Sequence, residues 1–470
     1  MAVSIDQRPL YATLPIGQQI IFAVSHNTIV ATKFKVKFIA KVYISQIPIN
    51  LSNDLQLIGT FKTTPNNVGV GMFDFRPILE TFLKPDYEGS TFSTTTYKAT
   101  TEPHPIHLID KYSVSDNSTR NFAVKFDIEY SDTATGSIIP PSEQTTTQEV
   151  NSLDYLMFNG VLQYDDILTL VQNDYGYYLG FPDGNNFFLD NAAAKFLTNS
   201  PATQYARITD YGTLPFLNFL PQPTDDVQSI VLTYYNDAGG VIGTETVLQN
   251  TLTGGASFAG GYSYTRLMYF GAFPANLRNW STTFQALVAA DTISYYTLYA
   301  TDSAGVASQI YTINILCPNL KGYEAIRLAW LNQWGTWDYY TFNMKSTRSV
   351  ATKRTSYTQQ SGTWNESTFK ISGYKGGKKN FRVNSTEKIK INTDFVSEAE
   401  SVWFEELINS NEVYIINGYS TDITLTITNK YVEPVTLTTS SYVKKTIAND
   451  RLMQYTFEIE KSKMQRTQAV

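Results

Sequence analysis

Residues 397–416 read SEAESVWFEELINSNEVYII. Ser397 and Glu400 form a Ser-x-x-Glu capping box, in which hydroxyl and carboxylate satisfy the free N–H groups of a first helical turn. Ala399, Val402, Trp403 and Leu407 then recur at three- and four-residue spacing, and Phe404 and Ile408 widen the apolar stripe. Glu398, Glu400, Glu405 and Glu406 fall mostly on the other side. Ser410-Asn411 ends this helix (397–410), the one strong helical pattern in a chain that otherwise reads as strands. Val413-Tyr414-Ile415-Ile416 follows as a strand, and Pro434 to Thr438 is another. Tyr455 to Ile459 closes the set, with Tyr455, Phe457 and Ile459 on one face and Thr456, Glu458 and Glu460 around them. A small barrel or sandwich with one helix across its mouth is the expected outcome.

The composition extends this reading to the whole chain. Its 470 residues are too many for a single core and predict about three domains. Tyr, Phe, Thr, Val and Ile abound, which is an all-β composition. Only 17% of residues are charged, which favours surface covered by neighbouring subunits. The first residues lack a basic segment followed by an apolar one, and no apolar run approaches the ~20 residues of a membrane span. These features predict a soluble protein made in a cytosol, with no membrane partner. Cys317 is the sole cysteine, so no disulfide forms within one chain.

The net charge of −6 conceals a segregation. Residues 151–320 carry 4 basic and 13 acidic residues, whereas 321–470 carry 20 and 15. Between Lys345 and Lys390 stand eleven basic residues and only Glu366 and Glu387. Such asymmetry bears on partners and self-assembly rather than on fold.

Along the chain, residues 29–44 read as a strand with Phe34, Val36, Phe38, Ala40, Val42 and Ile44 on its core face. Pro77 to Leu83 reads as a short helix stopped before Pro85. Residues 86–118 are a polar excursion, and Phe122 to Tyr130 returns to the sheet. This spacing fits a fibronectin-III-like or immunoglobulin-like sandwich over 1–138. The Thr/Ser/Pro/Gln-rich stretch 131–150 supplies a linker, assigned to 139–150. An acidic β-sandwich is predicted over 151–317. Within it, Asn236 to Gly240 and Thr301 to Gly305 mark hairpin turns. Pro318 opens a C-terminal β-barrel with the capped helix, over 318–470.

No catalytic, cofactor-binding or metal-binding set emerges. His104 and His107 lie in a Pro-interrupted loop with no third ligand near them, and the loop reading outweighs a metal site. No nucleophile elbow, phosphate-binding loop or dinucleotide fingerprint is present. Two glycosidase carboxylates cannot be picked from 42 acids by sequence. Asp174 and Asp183-Gly184-Asn185-Asn186 lack the spacing of a helix–loop–helix calcium site, so a tight turn is the simpler account. Trp334, Trp337, Tyr339 and Tyr340 form an aromatic contact surface or a core strand in preference to a sugar platform. The basic segment, interleaved with Tyr357, Trp364, Phe369 and Tyr374, could bind nucleic acid. A protein interface is preferred to direct DNA binding, because the rest of the chain offers acidic surface.

Three stretches carry a resemblance. WLNQWGTWDYYTFNMKSTRSV (330–350), FVSEAESVWFEELINSNEVYIING (395–418) and EPVTLTTSSYVKKTIANDRLMQYTFEIEKSKMQRTQ (433–468) resemble virion structural proteins of tailed bacteriophages, especially those of Bacteroidetes-type and marine hosts. Residues 153–163 and 196–220 are similar to the middle part of the same group. The resemblance implies a non-enzymatic tail, baseplate or tail-adaptor protein of the virion, assembled in the host cytoplasm. It further implies a homo-oligomeric ring, six copies in such tails, built through the C-terminal domain and contacting other virion proteins. Charge segregation nominates Lys375, Lys378, Lys379 and Arg382 against Glu398, Glu405 and Glu406 as the subunit interface. A head decoration or head-fibre protein and a host-glycan-binding adhesion protein are the alternatives. No cofactor is expected.

Overall fold

The computed structural model describes residues 2–10, 12–46, 56–85, 111–115, 117–161, 188–218, 227–248, 266–316, 322–364, 366–416, 432–439, 441, 443 and 453–466. It is an all-β protein of several antiparallel sheets, with few and mostly short helices.

The chain opens with β1 (Ser4–Gln7), β2 (Thr13–Pro15), β3 (Ile21–Ser25), β4 (Phe34–Ser45), β5 (Gln56–Thr63) and β6 (Val70–Asp74). After β7 (Tyr112–Ser115) come β8 (Thr119–Ser131), β9 (Val150–Asn151) and β10 (Tyr155–Phe158). One sheet has the order β1-β3-β6; the other has the order β2-β10-β8-β4-β5, with β9 on β8. The two sheets close over Phe22, Phe38, Phe73, Phe122, Phe126 and Met157. The alternation read from β8 holds, since Phe122, Val124, Phe126 and Ile128 are all fully buried.

The strand expected from residue 29 starts later. Asn27–Thr32 is a helix capped by His26, whose Nδ1 accepts from the Ile29 N–H at 3.2 Å while Nε2 meets Gln148 Oε1 at 3.0 Å. Local capping outcompetes the weak alternation there. Phe34 is consequently exposed at the irregular start of β4, where Lys35 adopts φ 53°. The short helix near Pro77 is present, as Arg76–Leu79 followed by a 3₁₀ turn over Glu80–Phe82.

The second sandwich contains β11 (Thr203–Arg207), β12 (Thr213–Asn218), β13 (Ser229–Tyr235), β14 (Val241–Leu248), β15 (Arg266–Gly271), β16 (Tyr295–Thr301) and β17 (Tyr311–Leu316). Its sheets have the orders β11-β17-β16-β13-β14 and β12-β15-β7. Phe196 bridges them, touching Phe216 and Tyr311, and the Tyr112 hydroxyl on β7 donates to Val247 O on β14 at 2.8 Å. Both hairpin turns form, with Gly239 at φ 78° and Gly305 at φ 132°. Two helices, Pro274–Trp280 and Thr282–Ala289, were not legible. Each is too short to build a periodic stripe, and only the Ser281 cap on the Phe284 N–H signals the second.

The linker placed at 139–150 is corrected by these contacts. Ile139 N–H donates to Tyr130 O at 2.7 Å, Gln144 Nε2 to Ile128 O at 2.6 Å, and Val3 N–H to Gln148 O at 2.9 Å. β9 then pairs with β8, and β10 re-enters the first sandwich. The segment is a strap, not a spacer. β7, read as part of the 86–118 excursion, pairs with β15. Met1–Leu316 together with Leu331–Asp338 falls in one compact unit, within which the segments expected as separate domains, 1–138 and 151–317, share strands. The second unit comprises Cys317–Trp330, Tyr339–Tyr419 and Lys430–Val470.

That second unit contains β18 (Ile326–Leu331), β19 (Trp337–Phe342), β20 (Thr347–Gln359), β21 (Gly377–Asn392), β22 (Val413–Ile416), β23 (Val432–Leu437) and β24 (Thr456–Lys461). They form an antiparallel sheet in the order β19-β18-β22-β23-β24-β21-β20, with β19 and β20 at its edges among the described strands. The capped helix, Glu398–Asn409, lies on its concave face. The capping box is complete: Ser397 N–H donates to Glu400 Oε2 at 2.7 Å, and Glu400 N–H to Ser397 Oγ at 3.3 Å. Phe404 contacts Phe342 on β19 and Phe457 on β24, so the sheet curls around the helix. Trp403 packs against Trp330 with ring centroids 4.9 Å apart and planes tilted by 45°, and truncating such a buried side chain to Ala costs ~3–5 kcal/mol. Val402 departs from the expected stripe and is 55% exposed. It lies in one row with Glu398, Glu405 and Asn409, which faces outward.

Candidate assembly interface

β20 and β21 form an arm. Twelve of the thirteen residues of β20 are exposed, so the ribbon has no cover on either face over most of its length. Thr, Val and Tyr along β20 favour the extended backbone, and Gly376 and Gly377, at φ 98° and 74°, reverse the chain into β21. The ladder runs from Thr347 opposite Lys390 to Gln359 opposite Gly377.

The base of the arm is neutralised locally. Arg348 binds Glu324 at 2.6 Å and Glu387 at 2.7 Å, while Lys461 bridges Glu387 and Glu433 at 3.4 and 3.1 Å. Lys388 lies between Glu458 and Glu460. The Arg348 hydrogen bond, with Lys461 beside it, holds the Glu387 carboxyl below its usual range against the opposing effect of burial. The distal half differs. Among the described residues, no ion pair reaches Lys353, Arg354, Lys375, Lys378, Lys379 or Arg382.

A bulge decides which of these face together. Thr355 pairs with Arg382 and Ser356 with Asn380, leaving Phe381 as the extra residue. Cross-strand partners project from the same face. Lys379 with Tyr357, Arg382 with Thr355, and Lys353 with Asn384 therefore share one face, and Lys378 with Thr358 takes the other. Simple alternation would have put Lys378 beside Arg382; the bulge separates them. Lys375 sits in the turn, 5.8 Å over the Tyr374 ring.

The tip is ordered by its own hydrogen bonds. Thr363 N–H donates to Lys370 O at 3.0 Å, Lys375 N–H to Ser372 O at 3.1 Å, and Lys379 Nζ to Tyr374 O at 2.8 Å. Phe369 lies so close over Gly362 that a Cβ there would stand 2.4 Å from the ring. On this frame Trp364, Phe369, Ile371 and Tyr374 are 65–86% exposed. Trp364, Phe369 and Tyr374 stood out in the sequence as interleaved aromatics. Ile371 and Phe381 did not, because nothing in a Ser/Thr/Lys context marks an isolated apolar residue as uncovered.

The acidic counterpart sits differently. Glu398 is exposed at the helix start, Glu400 is taken by the cap, and Glu405 and Glu406 are half-buried with partners of their own. Of the two readings of the aromatic run, the core strand holds and the contact surface is corrected. Trp334, Trp337 and Tyr339 are at most 4% exposed, and Tyr340 packs edge-on against Phe342 and Phe404. Burial pushes the Tyr340 hydroxyl pKa up, helped by the Glu400 and Asp394 carboxylates and opposed by a hydrogen bond from the Asp394 backbone. The turn Leu331–Asp338 belongs to the first unit. There Trp334 Nε1 donates to Asn199 Oδ1 at 3.1 Å, Thr336 Oγ1 to Leu197 O at 2.7 Å, and Thr198 Oγ1 to Asp338 Oδ1 at 2.5 Å. Alternating aromatics signalled two covered faces without saying what covers them.

No group of three His, Cys, Asp or Glu among the described residues is placed to hold a metal ion. No described helix is long and apolar enough to cross a membrane. His104, His107, Asp174, Asp183 to Asn186 and Cys317 lie outside the described residues. Neither a scan of protein-family models nor a search of curated proteins returns a match for this chain.

Proposed function

We propose that the chain is a non-enzymatic structural component of a tailed-phage particle, a tail, baseplate or adaptor protein that assembles with itself through its C-terminal unit. The observation that carries the assembly reading is the arm. A two-stranded ribbon exposed on both faces is marginal in water, and one presenting four large apolar side chains at an ordered tip is built to be covered. The phage assignment rests on the sequence resemblance at 330–350, 395–418 and 433–468, and the virion is the location it implies. The glycan-binding alternative loses its platform, because Trp334, Trp337 and Tyr339 are interior.

The test is the mass of the purified full chain by light scattering, with negative-stain images of the same sample. Particles of fixed copy number, well above the 52.9 kDa of one chain and annular in projection, are expected. A protein that stays monomeric up to its solubility limit sinks the reading.

A further inference from the structure

We infer that the arm engages the acidic body of a second copy and not that copy's arm, a head-to-tail contact anchored by Trp364, Phe369, Ile371 and Tyr374; this rests on the self-assembly reading above. Charge selects the partner. Residues 345–390 hold eleven basic and two acidic residues, a net of +9. The whole chain is −6, so everything outside the arm sums to −15. Two arms brought together would oppose the six distal cations of each that no ion pair reaches among the described residues, Lys353, Arg354, Lys375, Lys378, Lys379 and Arg382, whereas an arm laid on another copy's body meets the opposite sign. The same arithmetic disfavours nucleic acid and anionic bilayers, since a body of −15 approaches with the arm and is repelled by phosphate.

The charges available for this are distal. Lys353, Lys379 and Arg382 share one face of the ribbon beyond the ion-paired base. The tip supplies the desolvated centre. Its internal hydrogen bonds order the backbone that carries the four apolar side chains before contact, which lowers the ordering cost that a floppy loop would carry. A contact between two different surfaces of one chain is heterologous, and it closes into a ring when the rotation allows or runs on as a filament when it does not.

The test uses the full chain carrying Trp364→Ala and Ile371→Ala. Both side chains are exposed, so circular dichroism and the melting curve should match the parent. The concentration for half-assembly should rise at least about 30-fold, the scale of one interface hot spot. Fluorescently labelled double variant, added in trace to the parent protein, should still enter assemblies, because its body can accept one arm, and in excess it should cap and shorten them. Exclusion from parent assemblies would mean arm-to-arm pairing and overturn the inference. So would unchanged assembly of the variant, or arm-dependent binding of a short DNA duplex or anionic vesicles in competition with assembly. Parent protein that never assembles defeats the self-assembly reading itself; assemblies indifferent to the double variant defeat only the arm contact.

Discussion

At the scale of single residues, the most closely approached of the described glycines is Gly335. Its φ is +70°, and a Cβ there would stand 1.7 Å from the Asn159 carbonyl oxygen. Neither partner is a side-chain end that could swing away. Gly335→Ala should cost more than ~3 kcal/mol, from left-handed strain together with displacement of the backbone around Asn159. Urea denaturation followed by tryptophan fluorescence reads this, and an unchanged midpoint would mean the turn is not seated against Asn159. The sequence carried part of this scale. Trp403 and Phe404 declared their burial through helical spacing, because a helix repeats its core face within its own length. Trp334 and Thr336 did not declare their surroundings, because their partners Asn199 and Leu197 lie about 140 residues away in sequence.

Among the elements, the arm shows how far alternation can be followed. The bulge at Phe381 left no mark in the sequence, and one unpaired residue reassigns every face beyond it. The base of the arm yields a pH prediction. Glu387 has a folded-state pKa below its usual value, so its contribution is fully present above the ordinary carboxylate range near 4.5 and is lost as pH falls below it. Glu387→Gln should lower stability at pH 7 by about 1–2 kcal/mol, the scale of a charge-assisted hydrogen bond, and should flatten the acid limb. Parallel acid limbs in the two proteins would remove Glu387 as the responsible group.

For the whole molecule, composition located strands well and boundaries unevenly. The fall in apolar content at 131–150 was real, yet the segment's hydrogen-bonding groups are satisfied along β8 and by Val3, so polarity marked a strap instead of a spacer. The same unit is interlaced further by β7, which leaves the order of the first sandwich to complete the sheet of the second. A fragment of residues 1–160 should therefore fail to yield a cooperative folded domain, whereas the whole first unit, Met1–Leu316 with Leu331–Asp338, should unfold in one transition within the full chain. A sharp melt of the fragment would restore the separate N-terminal domain. Interlacing also imposes a schedule on synthesis. Ser115 leaves the ribosome about 150 residues ahead of its partner Leu267 on β15, a wait of roughly 8–30 s at ordinary elongation speeds. For that interval the nascent chain carries an orphaned strand beside a half-built sandwich, so crowding on polysomes or a slow codon run before residue 266 should lower the yield of this protein more than that of a chain whose sheets close in order.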